Sequence, residues 1–204
     1  MIVAGSLTEL KAFGAEAKFS EAGKQIVKPL LIEPIQKTVK EIMTLSKGSP
    51  SELQKIKKQI SDSNKTKLIA LSVYIKHHDC YNFSALNLYI ETLSEYPTFK
   101  GLVIFNKDGK YELFFPTEVI IRILKSSERQ DFSILIKQDR VEDMKQYPGV
   151  VTDKLAQQST NIDALEKMVL ENIDVLAVVG ENGQFIGLVE RSQIISTLLL
   201  TMAK

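Results

Sequence analysis

The sequence of 204 residues has no tryptophan and a single cysteine, Cys80. One cysteine excludes an intramolecular disulfide and a zinc site built from several thiolates. It fits a reducing compartment, and cytoplasmic residence is expected. Histidine is almost as scarce, with two residues, His77 and His78. An excess of one charge is missing as well: 26 Lys and Arg stand against 25 Asp and Glu. That balance supplies no general field for nucleic acid or an anionic membrane. The one basic turn, Lys55-Ile56-Lys57-Lys58, has no interleaved aromatic residues and reads as a solvated helix face. No apolar run reaches the length of a membrane span, and Ile194 to Met202 is interrupted by Ser and Thr. The first residues, MIVAGSLTELKAFG, carry no basic flank ahead of their apolar positions, so no signal peptide is expected. The phosphate-loop, dinucleotide and nucleophile-elbow patterns are all absent.

His77-His78-Asp79-Cys80 is the one cluster of residue types suited to catalysis. Neighbouring side chains in a strand face opposite sides. With no third histidine, a metal would need Asp79, Cys80 or a distant acid. The cluster reads as polar residues at a strand end or turn, and the chain reads as a non-enzyme.

What the sequence does contain is the material of a soluble globular protein, 44% hydrophobic and 25% charged. Its length allows two small domains with real cores. Ala15, Ala17 and Phe19 alternate with Glu16 and Lys18, as in a short strand or extended arm. Ile26, Leu30, Leu31, Ile35, Val39, Ile42 and Leu45 recur at helical spacing, and Pro29 and Pro34 place the start of the unbroken helix near Pro34. Ser49-Pro50-Ser51-Glu52 opens a second helix through Leu53, Ile56 and Ile60. Residues 1–66 therefore read as an N-terminal arm and helical hairpin for packing, dimerisation or partner binding.

From Lys67 the pattern is α/β. Leu68 to Ile75 is an apolar run, strand or buried helix. A helix follows from Ser84 through Leu86, Tyr89, Ile90 and Leu93, then a strand Gly101 to Phe105. The turn Asn106-Lys107-Asp108-Gly109, a return strand Tyr111 to Phe115 and a helix from Thr117 complete the unit. The same order recurs: a helix capped by Ser159-Thr160-Asn161, a strand Val175 to Val179, the turn Gly180-Glu181-Asn182-Gly183, a strand Phe185 to Val189 and a helix Arg191 to Leu200. Ala85-Leu86 aligns with Ala164-Leu165, Asp108-Gly109-Lys110-Tyr111 with Asn182-Gly183-Gln184-Phe185, and Val119-Ile120-Ile121 with Gln193-Ile194-Ile195. A unit this short buries its faces poorly alone, so the repeat predicts one compact pseudo-symmetric pair.

The second copy resembles the cystathionine-β-synthase (CBS) domain. Val141-Glu142-Asp143-Met144 is similar to that family's V-x-D-x-M opening, shortened by one residue, and Ala164-Leu165-Glu166-Lys167-Met168 to its A-L-x-x-M helix. Leu176 to Val189 resembles its hairpin around the V-V-d-e-n-G core. The first copy keeps the pattern with few signature residues, and together they look like the tandem pair called a Bateman module. The resemblance implies an α+β fold of two β-α-β-β-α repeats after an N-terminal helical segment. The divisions are residues 1–66, a degenerate first repeat at 67–126, a linker at 127–140 and a second repeat at 141–204. It also implies a regulatory or sensor module that forms a homodimer, acts on an effector protein, and binds an adenosine-containing ligand such as AMP, ATP or S-adenosylmethionine.

In that family the last strand ends G-h-h-[ST]-x-x-D, with the hydroxyl and helix N-terminus facing phosphate and the Asp holding ribose. Here these positions carry Gly187, Glu190 and Gln193, with Arg191 and Ser192 as phosphate contacts. Val151, Thr152, Val175 and Leu176 are the expected adenine wall. Glu190 puts an anion beside any phosphate, and Gln193 loses the charge-assisted ribose contact. The first copy has Leu113, Pro116 and Val119 instead, with Thr117 left to cap the helix. The alternative reading is a structural or protein-interaction module whose nucleotide site is non-functional.

Overall fold

The computed structural model of the chain describes residues 21–35, 68–75 and 83–202. The arm at Ala15 to Phe19, the helices expected over 36–66 and the cluster His77 to Cys80 lie outside the described residues. In chain order the elements are β1 (Leu30–Ile35), β2 (Leu68–Tyr74), α1 (Phe83–Leu93), β3 (Phe99–Phe105), β4 (Tyr111–Pro116), α2 (Thr117–Lys125), α3 (Arg129–Lys137) and α4 (Val141–Met144). They continue with β5 (Lys154–Ala156), α5 (Asn161–Leu170), β6 (Val175–Val179), β7 (Phe185–Glu190) and α6 (Arg191–Met202).

The expected pair of repeats is present as β2-α1-β3-β4-α2 and β5-α5-β6-β7-α6. In each, the first two strands are parallel and the last two form an antiparallel hairpin. The parallel step needs a crossover, which the intervening helix supplies. The turns close alike: Asn106 N–H donates to the Lys110 carbonyl at 2.9 Å, and Gly180 N–H to the Gln184 carbonyl at 2.8 Å. Gly109 and Gly183 sit there at φ 72° and 75°, a conformation that suits glycine.

The strands are apolar on both faces because each repeat is covered twice. Side chains alternate along a strand. Leu102 and Ile104 of β3 enter the helix-side core of the first repeat, and Val103 and Phe105 enter the layer where the repeats meet. Leu176 and Val178 of β6 likewise face the second repeat's helices, and Ala177 and Val179 face inward. Tyr111 and Phe185, equivalent positions in the two copies, stack across this inner layer with centroids 5.6 Å apart.

The N-terminal stretch departs from expectation. Residues 30–35, expected to lead into and begin a helix starting near Pro34, form strand β1. The order β4-β3-β2-β1-β7-β6-β5 places it between the two repeats. It runs antiparallel to β7 through Leu30↔Leu188 and Leu31↔Gly187, then parallel to β2 through Ile32↔Leu68 to Ile35↔Leu71. The physical reason lies in Lys28-Pro29 and Glu33-Pro34, since a following proline pushes a residue into extended backbone. Pro34 lies beyond the β7 pairing, where β1 is an edge on that side and a missing N–H is tolerated. Ala22, Val27 and Ile32 are buried in the module, so part of the segment expected to stand apart is core.

Residues 127–140, expected as a linker, hold helix α3, whose Phe132 is fully buried. Its ring meets Phe115 edge-on at 5.2 Å and Tyr147 at 6.0 Å. The helix escapes a sequence reading because it is short and begins at Glu128 without a side-chain cap. Strand β5, three residues long, also goes unannounced in the sequence. Among the described residues no helix is long and apolar enough to cross a membrane.

Candidate functional site

The sequence placed the ribose and phosphate contacts at the strand-to-helix junction of the second repeat, and the first repeat has the equivalent junction. Each is crossed by the segment that leads into the other repeat. Leu30 pairs with Leu188 of β7, and Val151 pairs with Phe114 of β4. Leu188 and Phe114 are equivalent in the repeat, so Leu30 and Val151 are equivalent as well. The Val151 contact is a closed two-bond bridge, each backbone N–H donating to the other's carbonyl at 2.9 Å. The Tyr111 hydroxyl also donates to the Val151 carbonyl at 2.6 Å. Burial, and secondarily Asp153, pushes the Tyr111 phenol well above its ordinary range, so it remains a proton donor.

In the second repeat the crossing segment is Gln25 to Leu31. Val27 N–H donates to the Ser159 carbonyl and Asn161 N–H to the Gln25 carbonyl, both at 2.9 Å. The buried Asn161 amide donates to the Ala22 carbonyl at 3.1 Å. Gln193, at the expected ribose position, donates its amide Nε2–H to the Lys28 carbonyl at 2.9 Å. Its Oε1 is buried without a hydrogen-bond partner. The crevice beside it, lined by Gln25, Lys28, Asn161 and Thr197 among others, has a volume of about 20 Å³. That is room for one water and far below the several hundred Å³ of a small-molecule site.

The remaining expected contacts are dispersed. Arg191 is folded back onto the end of α5: its guanidinium donates to the Met168 carbonyl at 2.7 Å and the Ile173 carbonyl at 2.6 Å, and it pairs with Asp174 at 3.2 Å. Those carbonyls lie at a helix C-terminus, where a cation is favoured. Ser192 is exposed, and Glu190 and Thr152 are half-buried. Val151 and Val175 pack in the inner layer, whereas Leu176 turns to the opposite, helix-side core. A Cβ at Gly187 would lie 2.2 Å from the Leu30 carbonyl oxygen, so glycine is required there by the crossing strand.

The first repeat is closed in the same manner, with an apolar contact at the position of Gln193. Val119, equivalent to Gln193, abuts Gly149, equivalent to Lys28; a Cβ on Gly149 would come within 2.9 Å of it. Arg122 donates to the Pro148 carbonyl. Thr117, read as a helix cap, donates to the Phe99 carbonyl at 2.9 Å. Sequence reasoning missed Gln25 and Lys28 because this stretch looked helical. The two X-Pro steps were the signal that could have found them.

On the outer side the repeats differ. Helix α1 is buried over Leu86, Asn87, Tyr89, Ile90, Thr92 and Leu93, with α3 against the same core. Helices α5 and α6 leave Val169, Leu170, Ile195, Leu199 and Leu200 exposed, Leu170 at 82% and Leu199 at 59%. Among the described residues no cluster of three or more His, Cys, Asp or Glu is placed to hold a metal.

No protein-family model and no curated protein matches the chain. Solved structures resemble it more distantly. The CBS domain of a CBS-domain-containing membrane protein from Sphaerobacter thermophilus is 13% identical, over 97% of this chain and 99% of that one, with a TM-score of 0.42. A CBS-domain-containing protein from Bacillus anthracis is 20% identical over 63% of this chain and 83% of that one, with a TM-score of 0.39. A CBS-domain pair from Klebsiella pneumoniae with bound AMP is 13% identical over 55% and 80%, with a TM-score of 0.38.

Proposed function

We propose that this chain is a regulatory module of the CBS-pair type that works through protein contacts rather than through a nucleotide held at its second repeat. The observation that carries this reading is the Gln193 amide bonded to the Lys28 carbonyl in a crevice of about 20 Å³. Arg191, one of the groups expected at the phosphate, is likewise committed to Met168, Ile173 and Asp174. Glu190 adds negative charge at the same strand end. The contact surface in this reading is the exposed apolar face of α5 and α6, which a second copy or an effector would cover. No step of this reading is catalytic.

A second reading, an adenosine-ligand sensor, is favoured by one feature: Gln193 Oε1 is buried and without a partner. Release of Gln25 to Lys28 would present it to a ribose hydroxyl. A ligand that binds only the folded state must raise its melting temperature. Adenosine, AMP, ADP, ATP, S-adenosylmethionine and NAD at millimolar concentration are expected to leave the thermal midpoint unchanged. A rise that disappears in Gln193→Ala would replace the contact reading with the sensor reading.

A further inference from the structure

Asn182 is the one asparagine of the chain that is followed by glycine. It lies exposed at the tip of the second hairpin, and Gly183 adds no side chain to shield its own backbone nitrogen. At such a step that nitrogen can attack the asparagine side chain, one reason asparagine counts among the thermolabile residues. What restrains the attack is the turn. Gly183 N–H donates to the Gly180 carbonyl at 2.9 Å, and Gly180 N–H to the Gln184 carbonyl at 2.8 Å.

The first repeat carries the same turn with a further restraint. Asp108 is the equivalent of Asn182, and Asn106 of Gly180. The Asn106 side-chain oxygen accepts from Asp108 N–H at 2.9 Å and from Lys110 N–H at 3.0 Å, on either side of the Asp-Gly step. Its amide is oriented in turn by donating to Glu112 at 3.0 Å. Side-chain bonds to nearby backbone groups hold a turn in shape. Gly180 has no side chain and supplies no such brace. The second turn therefore joins the reactive dipeptide to a weaker restraint. It also carries a contact between the repeats, since Tyr111 N–H donates to the Gly183 carbonyl at 3.0 Å.

We propose that Asn182-Gly183 is a self-modification site whose product loosens this contact between the repeats. The deprotonated Gly183 nitrogen bonds to Asn182 Cγ, and the side-chain nitrogen leaves as ammonia, which closes a succinimide ring. Water then opens the ring at either carbonyl. Opening at Cγ gives aspartate, the residue type that the first turn already holds at Asp108. Opening at the backbone carbonyl gives isoaspartate, in which the main chain runs through Cβ and Cγ. The sum of the steps takes up a water and releases an ammonia, with no oxidant or reductant. Isoaspartate lengthens the main chain just ahead of Gly183 and draws its carbonyl away from Tyr111 N–H. The inference does not rest on either reading of the strand-to-helix junction.

The full-length Asp108→Asn variant places an Asn-Gly step in both turns of one molecule, each at an exposed position. On incubation at mildly alkaline pH, peptide mapping by mass spectrometry is expected to show deamidation at 182 about tenfold faster than at 108, the factor that one or two retained hydrogen bonds supply. In concentrated urea the difference should vanish. Gly180→Asn should slow the reaction at 182 by a similar factor. A Cβ at Gly180 meets nothing closer than 3.7 Å, so the added side chain fits. Hydrogen exchange at the Tyr111 amide is expected to quicken in the isoaspartate form and to keep the parent rate in Asn182→Ser incubated alongside. Equal rates at 108 and 182 in the folded variant, a difference that persists in urea, or an unslowed reaction in a folded Gly180→Asn would each overturn the proposal. So would an Asn182 as durable as the other asparagines, or unchanged Tyr111 exchange in the isoaspartate form.

Discussion

Thr160 and Asp163 close the start of α5 reciprocally. Asp163 N–H donates to the Thr160 hydroxyl at 3.2 Å, and Thr160 N–H donates to the Asp163 carboxylate at 2.7 Å. The backbone bond first, and the hydroxyl second, hold the Asp163 carboxyl below its ordinary value. A carboxyl lowered in the folded state stabilises fully above its unfolded pKa, and that contribution fades as pH falls through the lower, folded value. Asp163→Asn is therefore expected to be less stable than the parent at neutral pH, with the gap closing on acidification to about pH 2. Urea denaturation over that range checks it, and a pH-independent gap would sink the assignment. The cap itself was legible, because Ser159-Thr160-Asn161 precedes an apolar helix. The contacts of Arg191 and Gln193 were not. A sequence names a residue's chemistry but not which carbonyl it meets, and Lys28 is joined to Gln193 only through the sheet.

Among the elements, the hairpins and flanking helices of both repeats could be read from turn glycines and alternating strands, whose signals are local. β1 could not, since its strand state comes from two partners distant in sequence and competes with helically spaced leucines. α3 was obscured by the charges around it, yet Phe132 fills the space between Phe115, Phe83 and Tyr147. Phe132→Ala removes a fully buried ring and should cost about 3–5 kcal/mol of unfolding free energy. Chemical denaturation measures this directly. A cost near that of a surface change, about 0.5 kcal/mol or less, would mean that α3 is not part of the core.

At the scale of the molecule, the pairing of repeats was visible in the internal duplication, and its asymmetry was not. Among the described residues there are three cores, one per helix layer and one between the repeats, and the second repeat's helices keep Val169, Leu170, Ile195, Leu199 and Leu200 exposed. Leu199 and Leu200 are exposed, with exposed Ile195 one turn back on the same helix, and exposed apolar groups of this kind mark interaction sites when they join into a patch. If a second copy covers it, the parent chain is expected to run as a dimer in light scattering and Leu199→Glu as a folded monomer. A parent already monomeric at high concentration would leave the face to an effector and remove the homodimer from the contact reading.

Strand β1 also has a consequence in time. A chain made from its N-terminus produces Leu30–Ile35 before either neighbour exists, and its antiparallel partner, Gly187 and Leu188, follows only after the whole first repeat. Parallel pairing with β2 must also wait for residues 36–67 to be spanned, and non-local pairing of this type is slow. Throughout that delay Leu30, Leu31 and Ile32 present an unpaired apolar edge, the feature by which nascent chains associate wrongly. The strand that unites the two repeats is, until the second hairpin is synthesised, a segment in need of protection.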